Sequence, residues 1–205
     1  LVAGLYLIFI NANDPTIWVL LGLGAFFVLF YTWQLKGLGL GEVAVLAVWG
    51  PLMIGGGYYV LTHQWNWSVV IASLPYVLGV TTVIFGKHID KIQVDKAKNI
   101  HTLPVVIGEK AARYAVIAMM VLPYFFTGYL IVTKFFTPIM LIVLLAIPAL
   151  RESLPPLTKP KPDTRPESFP DGQGGWPLYF APIAFRNNRS FGSLFMLGLL
   201  LDVAL

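Results

Sequence analysis

Two aspartates, four lysines and two histidines fall between Lys87 and Thr102, in a chain of which only 12% is charged. Asp90 and Asp95 are the residues there with the clearest chemical potential. Mg²⁺ prefers carboxylate ligands and typically takes one or two of them, with phosphate oxygens and water completing its shell. Lys87 and Lys91 would meet the same phosphates as point charges. Set five apart, the aspartates lie about 140° from each other around an ideal helix, so they share a face only if the helix unwinds between them. Lys87, Lys91 and Asp95, each four apart, form a stripe. Asn99 and Thr102 suit helix caps, and Pro104 predicts an extended Leu103. A solvated loop resting on anionic headgroups is the competing reading, and it explains the lysines. It gives the aspartates nothing to do, whereas a metal-bound diphosphate uses both signs.

Other chemistries are absent. Cys is missing, which removes disulfides and thiolate nucleophiles. His88 and His101 are too few and wrongly spaced for zinc, and no phosphate-cradling loop, nucleophilic triad or nucleic-acid motif occurs. The basic balance belongs to a membrane surface.

The elements that must position the aspartates are greasy. The chain is 57% hydrophobic, with a mean hydropathy of +0.75, and its apolar runs are continuous, which suits spanning helices and excludes a lipid-facing barrel. An all-helical polytopic transmembrane bundle follows. Its spans are expected at Thr16–Gln34, Gly41–Leu61, Trp67–Gly86, Arg113–Thr133, Thr137–Leu150 and Ser190–Leu205, six in all. Leu1–Ile10 reads as the trailing half of a further helix. Trp176–Phe185 is expected to lie at the interface, and Glu152–Gly175, rich in Pro and Gly, to be a loop.

Charge placement orients the bundle. One set of loops carries Lys36, the basic residues from Lys87 to Arg113, and Arg151, Lys159, Lys161 and Arg165, whereas the other set holds Lys134 alone. That bias puts the aspartate block on the cytoplasmic side of an integral membrane protein of the cell's inner membrane. Glu42, opening a span, reads as a helix-start carboxylate or an acceptor-binding group. Gly50-Pro51 and Gly55–Gly57 read as close helix packing with a kink, or as a pocket wall. His63, near Trp65 and Trp67, fits an interfacial belt. Tyr31, Tyr58 and Tyr59 are candidates for an acceptor pocket or for packing.

The pattern D-x(4)-D-x(6)-T-L-P-V-x-x-G, from Asp90 to Gly108, resembles the second aspartate-rich loop of the UbiA superfamily of intramembrane prenyltransferases. "YTWQLKGLGLGE" (Tyr31–Glu42), followed by "WGPLMIGGGYYV" (Trp49–Val60), is similar to that family's Y-T-x-P-x-K stretch and the helix after it. "NRSFGSLFMLGLLLD" (Asn188–Asp202) resembles the final helix of some actinobacterial-type members. The blocks keep the family's order over nearly the whole chain.

The resemblance implies transfer of a polyprenyl group from its diphosphate to an aromatic or quinone-precursor acceptor, as in menaquinone biosynthesis. It further implies Mg²⁺ on Asp90 and Asp95, and substrate contacts from Lys87, Lys91, Tyr31, Lys36 and Tyr58. Polyprenyl diphosphate, an aromatic acceptor and membrane lipids are the implied partners, with no nucleic acid. Two departures stand out. Lys91 occupies the place of the first Asp in the usual D-x-x-x-D spacing, and the family's first N-x-x-x-D motif does not occur. Residues 1–205 are therefore expected to be one transmembrane domain that is N-terminally incomplete relative to the family. The alternative is a non-catalytic subunit that binds lipid or quinone beside other membrane subunits. A transporter would need ionisable residues in mid-span, and these spans carry them near their ends.

Overall fold

Asp14-Pro15 shows why a helix starts where it does. The Asp14 carboxylate accepts the Thr16 N–H at 2.8 Å, and Pro15 sits in the first turn, where its missing N–H loses no bond. α2 (Pro15–Phe30) begins there, after α1 (Val2–Ile10). The computed structural model describes residues 2–35, 37–166 and 176–204, and every regular element among them is helical.

Asp14 also joins two elements, because its Oδ2 accepts the Tyr59 hydroxyl at 2.9 Å and lies 3.3 Å from His63 Nδ1. His63 ends α4 (Gly56–Thr62) in a left-handed conformation, so the belt residue of the sequence reading is also a helix terminus. Desolvation by itself would push the Asp14 carboxyl up, but the bonds from Tyr59, Thr16 and His63 outweigh it and hold it below its ordinary 3.8. A depressed carboxyl pKa stabilises the fold above the unfolded value and ceases to do so as pH falls through the folded one. Asp14→Asn should therefore lower the unfolding midpoint at pH 7, and thermal scans from pH 7 downward should show that deficit closing below about pH 4.

After a π-helical turn at Tyr31–Leu35, one membrane-length stretch comprises α3 (Gly41–Ala47), a π-helical segment (Val48–Gly55) and α4. Pro51 lies inside that segment; it has no N–H to give and its ring crowds the preceding turn, which is the usual origin of such distortion. Gly50 and Gly55 then meet α5 (Trp67–Asp90) closely, against Ser73, Val77 and Val70, as the packing reading of these glycines expected. α6 (Ile92–Ala97) and α7 (Leu103–Ile107) follow as short helices, then α8 (Glu109–Val132). A 3₁₀ stretch (Pro138–Ala146) leads directly into α9 (Ile147–Thr158), and α10 (Phe180–Ala204) closes the described chain.

Among the described residues, four stretches are long and apolar enough to cross a membrane: Gly41–Thr62, Trp67–Asp90, Glu109–Val132 and Pro138–Thr158. The count of six expected from sequence is therefore not reached on these grounds. α2 is shorter, with 16 residues, and the last expected span is part of a longer and more polar helix. That helix absorbs the second half of the expected interfacial segment, because Pro182 falls in its first turn, where proline is tolerated. The expected loop at Glu152–Gly175 also starts late. Helix continues to Thr158 through Pro155 and Pro156, with Ser153 and Leu157 fully buried on its inner face.

α5 is the axis of the bundle. It packs antiparallel to α8 and α10, and its core includes Leu78, Phe85, Ile89, Val116, Met120, Leu157 and Phe180. A second cluster joins Leu130, Phe136, Met140, Val143, Phe191 and Phe195 around the 3₁₀ stretch. Contacts pin α10 at both ends. Asp202 accepts the Thr137 N–H at 2.7 Å at one end, here called the far end, and Asp90 holds Phe180 at the other, the charged end.

Candidate active site

The helix break falls between the two aspartates. α5 stops at Asp90, Lys91 adopts a non-helical conformation, and α6 starts at Ile92. The expected stripe of Lys87, Lys91 and Asp95 is not formed, since both lysines are exposed while Asp95 is only 9% exposed. Asn99, with φ at 55°, ends α6 in the left-handed region that Asn tolerates. Thr102 takes the N-cap position of α7. It is Thr102, not Leu103, that is extended, because Pro104 fits the first turn of a helix that already includes Leu103.

The two carboxylates sit in different settings. Asp90 accepts the N–H of Phe180 through Oδ1 and of Ala181 through Oδ2, both at 3.0 Å, so it caps α10 from another helix. Gly86, one turn earlier, lets α10 approach; a Cβ there would lie 2.8 Å from the Phe180 carbonyl oxygen and 2.9 Å from Ala181 Cα. Asp95 accepts no side-chain hydrogen bond among the described residues, although it is buried. Asp95 therefore fits Mg²⁺ by donor type, and Asp90 has lone pairs to spare but is already engaged. Among the described residues, no group of three or more His, Cys, Asp or Glu side chains could hold a metal ion.

Asp90 also borders a polar cleft of about 470 Å³ with Gln93, Glu109, Lys161 and Asp163. Lys161 stands over the Trp176 ring, 5.1 Å from its centroid, and donates to the Pro177 carbonyl oxygen. Arg113, buried in α8, donates to the Leu157 carbonyl oxygen at 3.1 Å. Its Nε lies 3.3 Å from Glu109 Oε1, close enough for an ion pair but not aligned as a hydrogen bond.

Glu42 is the residue whose importance the sequence understated. Only 1% exposed, it lies with Oε1 2.5 Å from His88 Nδ1, and its Oε2 accepts a long hydrogen bond, 3.4 Å, from the Leu103 N–H. It thus joins the G-L-G-E segment to α5 and to the T-L-P-V segment. Gly39, at φ 74°, lets the same two segments touch, with Val106 and the His101 carbonyl oxygen at the place of a Cβ. No local signal could have shown this tie, since 46 residues separate Glu42 from His88.

An apolar groove of about 410 Å³ is lined by Phe27, Val28, Tyr31, Ala44, Val45, Val48, Trp49, Val80 and Ile84, from the helices that carry that pair and from α2. Tyr31 is therefore at a cavity wall. Tyr58 lies half-buried in α4, toward the far end. Lys36 lies outside the described residues.

The UbiA prenyltransferase family model matches residues 1–166. The chain belongs to the UbiA prenyltransferase family. It is also similar to a 2-carboxy-1,4-naphthoquinone phytyltransferase from Synechocystis sp. (strain ATCC 27184 / PCC 6803 / Kazusa), with 28% identity over 123 residues that make up 58% of this chain and 39% of that protein. The chain thus spans about two fifths of the length of the curated relative that it matches. No solved structure matches it significantly. UbiA membership makes this an integral membrane chain, in keeping with the four membrane-length apolar stretches among the described residues. α10 lies beyond the matched residues, yet Asp90, inside them, caps it.

Proposed function

We propose that the protein transfers a prenyl group from its diphosphate to a hydroxylated aromatic acceptor, a quinone precursor. The observation that carries this reading is that α5, whose Val80 and Ile84 line the apolar groove, ends at Asp90, where the aspartate segment begins. An isoprenoid and an aromatic ring need such walls, and a diphosphate needs a charged mouth beside them.

Asp95 would be the principal ligand of Mg²⁺, with Asp90 as its second carboxylate and Lys87 and Lys91 on the phosphate oxygens. When bound, the ion neutralises charge building on the leaving diphosphate. The allylic C–O bond breaks with its electron pair going to the diphosphate, a ring carbon supplies the pair for the new C–C bond, and that carbon then gives up its proton, or its carboxyl group as CO₂, to restore the aromatic ring. The quinone itself is a poor nucleophile, so the acceptor must be its reduced, hydroxylated form. Apolar side chains keep water from the allylic cation. Lysines gathered at one end support placing that end on the cytoplasmic side of the inner membrane.

The test is a transfer assay on the protein at its full natural length, reconstituted in lipid. Phytyl and geranylgeranyl diphosphates would be offered with a carboxylated naphthalene-1,4-diol, with and without Mg²⁺. Metal-dependent prenylated product is the expected result. No product from any donor and acceptor pair, in a protein that is folded, would overturn the reading.

A further inference from the structure

Just beyond the residues that line the apolar groove, its two walls carry a polar pair. On α5, Val80 and Ile84 line the groove, and His88 continues their row at the next fourth position toward the charged end. On α3, Ala44 and Val45 line it, and Glu42 lies three residues before Val45, one turn lower on the same face. The two rows converge where His88 Nδ1 and Glu42 Oε1 meet at 2.5 Å.

A carboxylate accepts and does not donate, so the Nδ1 proton points to Glu42. That fixes the ring, and in the neutral imidazole it leaves Nε2 as the acceptor. Among the described residues, Nε2 has no hydrogen-bond partner. Glu42 is nearly inaccessible while the His88 side chain is 18% exposed, so the histidine is the member of the pair that a ligand can reach. The Thr102 hydroxyl, next to the Leu103 N–H that Glu42 also receives, is 2% exposed and likewise without a partner. An apolar trough with an oriented acceptor just beyond its lining complements a flat apolar molecule with a hydroxyl at one edge. It does not complement a purely hydrocarbon chain, which would leave that acceptor unpaired.

We propose that the groove holds the acceptor ring, that His88 Nε2 takes a hydrogen bond from the ring's hydroxyl and so determines acceptor specificity, and that Glu42 is the positioning residue that aims the imidazole. This rests on the prenyltransferase reading above and adds to it the place and the recognition of the acceptor.

A site built to bond a hydroxyl rejects analogues that lack it more strongly than an apolar pocket can discriminate by shape. The probes are the naphthalene-1,4-diol acceptor and its mono-O-methyl ethers, with phytyl diphosphate as the donor. The protein at its full natural length should prefer the free hydroxyl by about 100-fold or more in kcat/KM for at least one of the two ethers. In His88→Phe that preference should fall to below about tenfold, with the KM for phytyl diphosphate unchanged.

Because His88→Phe strands a buried carboxylate, the double variant Glu42→Leu/His88→Phe removes both partners and serves as the folding-safe version. Glu42→Gln, whose carbonyl oxygen can still accept the Nδ1 proton, should keep most of the preference, which a merely structural role of Glu42 would not require. An undiminished preference in the folded double variant would overturn the proposal. So would a raised phytyl diphosphate KM with the acceptor preference intact, because the groove would then hold the isoprenoid. Absence of any transfer by the unaltered protein would remove the prenyltransferase reading, and this inference with it.

Discussion

Asp95→Asn is expected to lower Mg²⁺-dependent prenyl transfer by at least about a thousandfold, with the thermal midpoint unchanged or raised. The reason is the setting of the carboxylate. Asp95 is buried and receives no side-chain hydrogen bond among the described residues, so its charge contributes little to the folded state that an amide would not. Removing a charge that stabilises the leaving diphosphate forfeits several kcal/mol, about 4 for a thousandfold effect.

Asp90→Asn should behave differently. An amide retains one acceptor and presents a donor to the second N–H of α10, so about 1.5–3 kcal/mol of charge-assisted bonding is lost and stability falls along with activity. Steady-state rates over a Mg²⁺ titration, paired with thermal scans, separate the two residues. Equal activity of Asp95→Asn and the unaltered protein would sink the metal role.

Gly86→Val should separate α10 from α5. Even the Cβ would lie within 3 Å of backbone atoms of Phe180 and Ala181, and backbone at a capped helix start cannot swing aside as a side-chain tip can. Overpacking of this kind costs about 3 kcal/mol, or roughly 6–12 °C in a chain of this size. The chain has no cysteine, so a single Ala184→Cys, at a fully buried position on α10, reports docking directly. It should resist thiol reagents in the Gly86 background and react readily alongside Gly86→Val. Continued protection would mean that α10 is held by contacts other than those around Asp90.

Much of the scaffold could be read from residue order alone. Continuous apolar runs, Asp14-Pro15 and the glycines of the Trp49–Val60 segment are local signals, and each produced the element or packing that its physics implies. Boundaries failed where tertiary contacts outweighed local preference. Pro155 and Pro156 argue for a loop, yet burial of Ser153 and Leu157 extends α9 beyond them. The candidate site was legible in composition but not in arrangement. Asp90 and Asp95 can be found by type, whereas the capping of α10 by Asp90 joins residues 90 positions apart, and nothing in the block itself points there. Glu42 failed in the same way, because a carboxylate at a helix start has a sufficient local explanation that conceals its partner on α5.

The polarity of α10 bears on how the protein is put together. Arg186, Asn187, Asn188 and Arg189 follow one another inside a helix that runs the length of the bundle. An arginine at mid-bilayer raises the free energy of insertion by about 2.5–3.5 kcal/mol, so this segment is a poor candidate for partitioning into lipid by itself. Part of the difficulty is met inside the bundle: Arg186 pairs with Glu152 at 3.2 Å and Gly79 makes room for Asn188, whereas Asn187 Oδ1 is buried without a hydrogen-bond partner among the described residues. Those partners belong to earlier helices, α9 and α5. A substitution at Glu152 or Gly79 therefore acts on α10 from helices that precede it in the chain.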